Sequence, residues 1–222
     1  MTSVAILGLA VWSLPDQEML TEFDEIWTIN NSDSAYGYKT DLIIAMDDFG
    51  RDYKNHPRYV DKIVNAGVSV LSTKPDERWP NVEAYPLQEV YDWLLQFHDE
   101  PELILDNSCN YAFALALLRE TDPIGLFGFD WVQPYKQIDL DCAALRWADK
   151  GYDAPDWFKY YERDVLARRQ PGEPGVEAFH FLFGIARARN VDFMFADNTT
   201  ILNQDRDRYF YGYQEQPKID RA

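Results

Sequence analysis

Short apolar runs alternate with amphipathic stretches along most of this chain, and polar residues crowd the exit of nearly every run. Val4-Ala5-Ile6-Leu7-Gly8 is a buried-strand pattern closed by glycine, and Asp16 to Phe23, apolar at Met19, Leu20 and Phe23, is a surface-helix pattern. Glu25 to Ile29 predicts a second strand ending at Asn30-Asn31-Ser32, and Asp41 to Met46 a third ending at Asp47-Asp48. A helix over Arg58 to Ala66, a turn at Gly67 and a strand over Val68 to Ser72 follow, then a loop over Thr73 to Pro80. Leu87 to Phe97 is an amphipathic helix, apolar at Leu87, Val90, Tyr91, Leu94 and Leu95. Small polar residues Asp106 to Asn110 then open an apolar helix over Tyr111 to Leu118, and the run Ile124 to Asp130 is a strand ending on an acid. Val176 to Arg189 is a further helix and Val191 to Phe195 a closing strand.

Strands alternating with helices predict parallel pairing through right-handed crossovers. The expected fold is therefore α/β: a Rossmann-like, mostly parallel sheet with helices on both faces. Between Trp131 and Gly175 the pattern changes to prolines and a dense aromatic set that includes Trp147, Trp157, Phe158 and Tyr161, read as a partly helical lid insertion within one domain spanning 1–222. The alternative is a helical hairpin packed on the sheet, and aromatics in such a segment more often pack than contact a ligand.

Composition narrows the function classes. A charge of −17, from 21 basic and 38 acidic residues, argues against an extended electrostatic grip on DNA or RNA, while a free nucleotide held by backbone donors stays open. The same charge fits plain solubility or an acidic inhibitor that mimics nucleic acid. With two widely spaced cysteines, no leader-like segment and no apolar run of membrane-spanning length, a cytoplasmic protein without membrane contact is expected. Composition leaves the oligomeric state open.

The candidate chemistry gathers at strand exits and helix starts, which share one edge of an open α/β sheet. Gly8 stands in the first turn, where a glycine lets backbone amides approach a phosphate, though a tight turn alone also asks for it. Asn30 and Asn31, and Asn107, Ser108 and Asn110, offer amides and hydroxyls suited to a base or ribose, or else cap helices. Asp47 and Asp48 suit a divalent ion, ribose hydroxyls or a solvated turn. Asp130 closes an apolar strand, where a carboxylate needs a partner. His180, three residues after Glu177 on one helix face, is the candidate general base, or a structural helical histidine.

Taken together, the glycine first turn, Ile-Asn-Asn after the second strand, Met-Asp-Asp after the third, Asn107-Ser108-x-x-Tyr111-Ala112-x-Ala114-Leu115-Ala116, Ile124-Gly-Leu-Phe-Gly-Phe-Asp130 and Phe183-Gly-Ile-Ala-Arg-Ala-Arg189 resemble a group of small bacteriophage-type proteins. These are similar to bacterial family 42 sialyltransferases and, more distantly, to the 6-hydroxymethylpterin diphosphokinase-like family. The resemblance spans Val4 to Leu202. It implies a transferase using a nucleotide-activated donor, most simply a nucleotide-sugar, with no required metal. Gly8 would lie near phosphate or ribose, Asn31 near the nucleotide, Asn107 and Ser108 near base or sugar, and Asp130 in the pocket, with His180 the nearest match to the general base. If the diphosphokinase-like relatives are the better guide, Asp47 and Asp48 would bind Mg²⁺ beneath a triphosphate. The family's Gly-x-Gly-Pro-Ser turn is here Gly8-Leu9-Ala10-Val11-Trp12-Ser13, which lacks the second glycine and the proline. That departure leaves room for a different class: a non-catalytic protein that sequesters a nucleotide or inhibits through its acidity.

Overall fold

The computed structural model describes residues 2–8, 14–32, 37–129, 174–196 and 199. Seven strands form one sheet: β1 (Val4–Leu7), β2 (Glu25–Ile29), β3 (Leu42–Ile44), β4 (Ser69–Ser72), β5 (Val82–Ala84), β6 (Ile124–Phe127) and β7 (Phe193–Phe195), in the order β5-β4-β3-β2-β1-β6-β7. Every pairing is parallel, from Val4 opposite both Glu25 and Ile124 at the sheet centre to Ile124 opposite Phe193 at one flank. The described helices are α1 (Gln17–Leu20), α2 (Phe49–Asp52), α3 (Pro57–Val64), α4 (Leu87–Leu94), α5 (Ser108–Leu118) and α6 (Pro174–Ala188), with a 3-10 turn at Pro101–Leu103.

Alternate strand residues feed opposite faces of the sheet, as the two-residue period of a strand requires. Val4, Ile6, Leu42 and Ile44 join Ala112 to Leu117 of α5, Val90 and Leu94 of α4, and Phe179, Leu182 and Ala186 of α6 in the main core. Ile43 and Ala45 pack against Phe49 of α2 and Val60, Ile63 and Val64 of α3. Ala5 and Leu7 pack with Leu20, Phe23 and Phe127. The fold is thus the expected Rossmann-like α/β layering with helices on both faces. α5 shows no helical amphipathicity because its middle turns, Ala112 to Leu117, are buried all round between the sheet, α4 and α6.

Two elements escape the periodicity. β5 is three residues, Val-Glu-Ala, of which only Val82 is buried, so it lacks the apolar run that marks the inner strands. α2 is a single turn containing Gly50, below the length at which a helical period is visible. Helix α1 ends at Leu20, where Thr21 closes the turn with its hydroxyl on the Glu18 carbonyl, so Phe23 reaches the core from a turn rather than a helix. The lid expected over 131–175 lies outside the described residues except its last two, Pro174 and Gly175, which begin α6. Among the described residues no helix is long and apolar enough to cross a membrane.

Candidate functional site

In open α/β sheets ligands bind outside the strand C-terminal ends, at the point where the strand order reverses. The chain steps outward from β1 to β5, then returns to set β6 on the other side of β1, so the switch point lies between β1 and β6. There the exits touch: the Gly8 N–H donates to the Phe127 carbonyl (2.7 Å), and a Cβ on Gly8 would collide with the Gly128 carbonyl oxygen. Gly128 has φ +71°, and a Cβ on it would stand 3.0 Å from Gly8. Both glycines are therefore accounted for by backbone meeting backbone, and the floor of the crevice carries no side chain from either.

The next exit is built by hydroxyl and amide groups. Ser32, fully buried, accepts from the Ile29 N–H (3.1 Å) and donates to the Leu7 carbonyl (3.0 Å), stitching the β2 exit to β1. Asn31 beside it is also buried. Asn30 takes the left-handed conformation, φ 55°, which asparagine tolerates better than most residues, and its N–H donates to the Ile44 carbonyl at 3.0 Å.

α5 brings its N-terminus down onto these exits. Asn107 caps the helix in extended conformation, its Oδ1 accepting from the Asn110 N–H (3.1 Å), as an N-cap amide should. Its Nδ2 and that of Asn110 both donate to Asp106 Oδ1, at 2.7 and 2.8 Å. Ser108 Oγ accepts from the Met46 N–H (3.3 Å) and donates to Asn30 Oδ1 (3.5 Å), so one hydroxyl joins helix, β2 exit and β3 exit. Burial holds the Asp106 carboxyl above its ordinary range, offset in part by its amide donors. Burial also pushes the Cys109 thiol up to about 12, which removes it as a nucleophile at neutral pH.

At the β3 exit, Asp47 accepts from the Tyr59 hydroxyl at 2.8 Å, and its main-chain carbonyl accepts from Ser72 Oγ (2.6 Å) and Thr73 Oγ1 (2.8 Å). Burial raises the Asp47 carboxyl, the Tyr59 hydrogen bond opposing it, and burial with the Asp47 charge raises the Tyr59 phenol. Asp48 turns elsewhere, capping α2 through the Arg51 N–H (3.1 Å) and pairing with Lys74 at 2.8 Å. One carboxylate of the pair is thus held by a tyrosine and the other by a lysine. No group of three or more His, Cys, Asp or Glu suited to a metal occurs among the described residues.

Of the residues singled out from the sequence, Gly8, Asn30, Asn31, Asn107 and Ser108 all stand on this rim, and Ser108 touches Asn30 directly. Asp130 lies outside the described residues. His180 is exposed on α6, its ring edge-on to Phe179 at 5.7 Å, while the buried stripe of that helix runs through Phe179, Leu182 and Ala186. Three contributors were not visible as such in the sequence. Ser32 is the third member of an exit already polar, Tyr59 is one tyrosine among 14, and Gly128 gains its meaning only beside Gly8.

No protein-family model and no curated protein matches the chain. Its fold is similar to that of the sialyltransferase CstII from Campylobacter jejuni, solved with the substrate analogue CMP-3FNeuAc: TM-score 0.50 at 12% identity, over 91% of this chain and 84% of that one. A single-residue CST-II variant in complex with CMP gives TM-score 0.50 at 14% identity over the same shares, and a second variant with CMP gives 0.50 at 13%. At these identities the likeness is one of fold. These neighbours bear on the sialyltransferase side of the resemblance and add nothing to its bacteriophage-type or diphosphokinase-like sides. The chain therefore shares the fold of these sialyltransferases.

Proposed function

We propose that this rim binds a nucleotide and that the protein is a transferase using a nucleotide-activated donor, most simply a nucleotide-sugar. The observation that carries the reading is the junction at Ser108, where the N-terminus of α5 meets the exits of β2 and β3 beside the switch point. A helix N-terminus favours an anion, and the Asn30 and Ser108 side chains add directed polar groups for base or ribose. The sialyltransferases that share the fold were solved with CMP or a CMP-sugar analogue, which makes a cytidine nucleotide the first ligand to test. In this reading Asn31, Asn107 and Asp130 complete the donor pocket and His180 takes the proton of a hydroxyl acceptor. In this reading Asp47 and Asp48, directed to Tyr59 and Lys74, are not called on to hold Mg²⁺.

A second reading, a protein that holds a nucleotide without transferring it, is supported by two observations. The Gly8 N–H is engaged by Phe127 rather than open to a phosphate, and His180 is exposed on α6. Calorimetric titration with CMP and UMP, with and without Mg²⁺, tests what both readings share. Binding of at least one nucleotide is expected, weakened roughly tenfold by Ser108→Ala, the scale of one lost hydrogen bond to a bound anion. No binding under any of these conditions overturns both. His180→Ala then separates them: an enzyme loses release of nucleotide from CMP-activated sugar while keeping its affinity, and a sequestering protein has no such release to lose.

A further inference from the structure

The four large apolar side chains that stay exposed among the described residues fall in one short stretch: Leu87 (48%), Leu95 (47%), Phe97 (42%) and Leu103 (56%). Leu87, Tyr91 and Leu95 are spaced four apart along α4 and its C-cap, so they form one stripe, beside the stripe of Val90 and Leu94 that enters the core. The Tyr91 hydroxyl donates to Glu102 Oε2 at 3.3 Å, which holds the 3-10 turn, and Leu103 next to it, against α4. The surface is thus continuous from helix to turn, and it lies one helix away from the Ser108 junction.

Its charge is as one-sided as its hydrophobicity. Glu89, Asp92, Asp99, Glu100 and Glu102 all occur between residues 87 and 103, where there is neither lysine nor arginine. Single exposed leucines are ordinary, but Leu87, Leu95 and Leu103 exposed along one acidic stretch, with Phe97 near them on the Trp93 ring (5.2 Å), are not. Such a field repels phosphate, whether of nucleic acid or of anionic lipid, and attracts cations. A helix with leucine-like residues along one stripe and Lys or Arg flanking it satisfies both requirements at once.

We propose that the outer face of α4 and the 3-10 turn after it is a docking surface for a cationic amphipathic helix of a partner protein. The surface is independent of the nucleotide rim and would operate whether or not the protein is an enzyme.

The test uses the full chain and, as probe, a fluorescein-labelled synthetic helix of about five turns with leucine on one face and lysine on the other. Its control is a scrambled peptide of identical composition. Anisotropy titration should give saturable binding, roughly tenfold tighter for the amphipathic arrangement than for the scramble. The double variant Leu95→Ser/Leu103→Ser should weaken binding roughly tenfold, and Glu89→Gln/Glu102→Gln should weaken it and flatten its dependence on salt. All four positions are at the surface, so thermal melts should change little, and the acidic control Glu18→Gln/Glu22→Gln should leave peptide binding as it was. Equal binding of both peptides, or equal binding by all variants, reduces the effect to bulk charge and overturns the proposal. So does an absence of binding. Dimerisation in sedimentation that the leucine variant abolishes assigns the face to a second copy instead, and capture by phosphatidylserine vesicles that the same variant abolishes assigns it to a membrane; either result overturns the partner helix.

Discussion

The parallel sheet has two polar edges that look alike in sequence and behave differently. At the strand starts a groove of about 420 Å³ is lined by Asp24, Glu25, Asp41, Glu83, Ser69 and Arg119. Its carboxylates are engaged by the sheet itself. Asp24 Oδ2 accepts from the Ser3 N–H (2.8 Å) and hydroxyl (2.9 Å), Asp41 from the Ile26 N–H (2.9 Å), and Glu25 from the Trp27 indole N–H (2.7 Å). The Ser3 and Ile26 N–H groups are among those that a strand leaves open where it begins, and the other two donors are side chains. At the strand exits, by contrast, a helix N-terminus arrives, backbone strands meet at bare glycines, and Asp47 and Asp106 are held by neutral donors with burial working against their charge. The hollow at the strand starts is lined by polar groups that are engaged within the sheet, and the exits carry the helix N-terminus and the buried carboxyls.

The largest way to break this contrast is Gly8→Ala. Its methyl group would occupy the position of the Gly128 carbonyl, so about 3 kcal/mol of stability and roughly 10 °C in Tm should be lost in a thermal melt. A melt like the wild type would show that the rim opens freely at the switch point and that the crevice floor is not fixed. Next in size is a matched pair, Asn107→Ala at the rim and Ser3→Ala at the strand starts. Each removes a side-chain partner of a backbone N–H and should cost about 1 kcal/mol by chemical denaturation. Only Asn107→Ala should also weaken nucleotide in calorimetry. Equal effects on the ligand would erase the distinction between the edges.

The subtlest test is the sign of pH dependence. The Ser3 N–H and hydroxyl hold Asp24 below the usual carboxylate range when folded, so its contribution is complete above the unfolded pKa and is lost as pH falls through the folded one. Asp24→Asn should therefore lower Tm at pH 7, the gap to wild type closing as the medium is acidified below about pH 4. Burial holds Asp47 above the unfolded value, so ionising it opposes folding at neutral pH, and that opposition fades as pH drops through the folded pKa toward the unfolded one. Asp47→Asn should raise Tm at pH 7 by a small amount and lose the advantage in acid. Shifts of the same sign at the two positions would contradict the assignment of opposite roles.

The sequence carries the inner strands plainly because they are buried on both faces and therefore read as unbroken apolar runs, as in Val4 to Leu7 and Ile124 to Phe127. It does not carry β5, whose Glu83 and Ala84 are exposed at the sheet margin, nor the order of strands, which no local pattern encodes. The rim is legible in part for the same reason: Asn30, Asn31, Asn107 and Ser108 follow or open elements whose ends are visible in the pattern. The Ser32 bridge to Leu7, the Tyr59 grip on Asp47 and the meeting of Gly8 with Gly128 join residues 25, 12 and 120 positions apart. Contacts of that kind follow from the tertiary fold and leave no mark on local periodicity.

β1 sits inside the sheet between β2 and β6, yet β6 follows it by 120 positions, Val4 pairing with Ile124. During synthesis the first strand leaves the ribosome long before that neighbour exists, so this long-range pairing becomes available only after β2 to β5 have been made. The crevice between β1 and β6 therefore depends on a pairing that can form only once the chain has returned through α5.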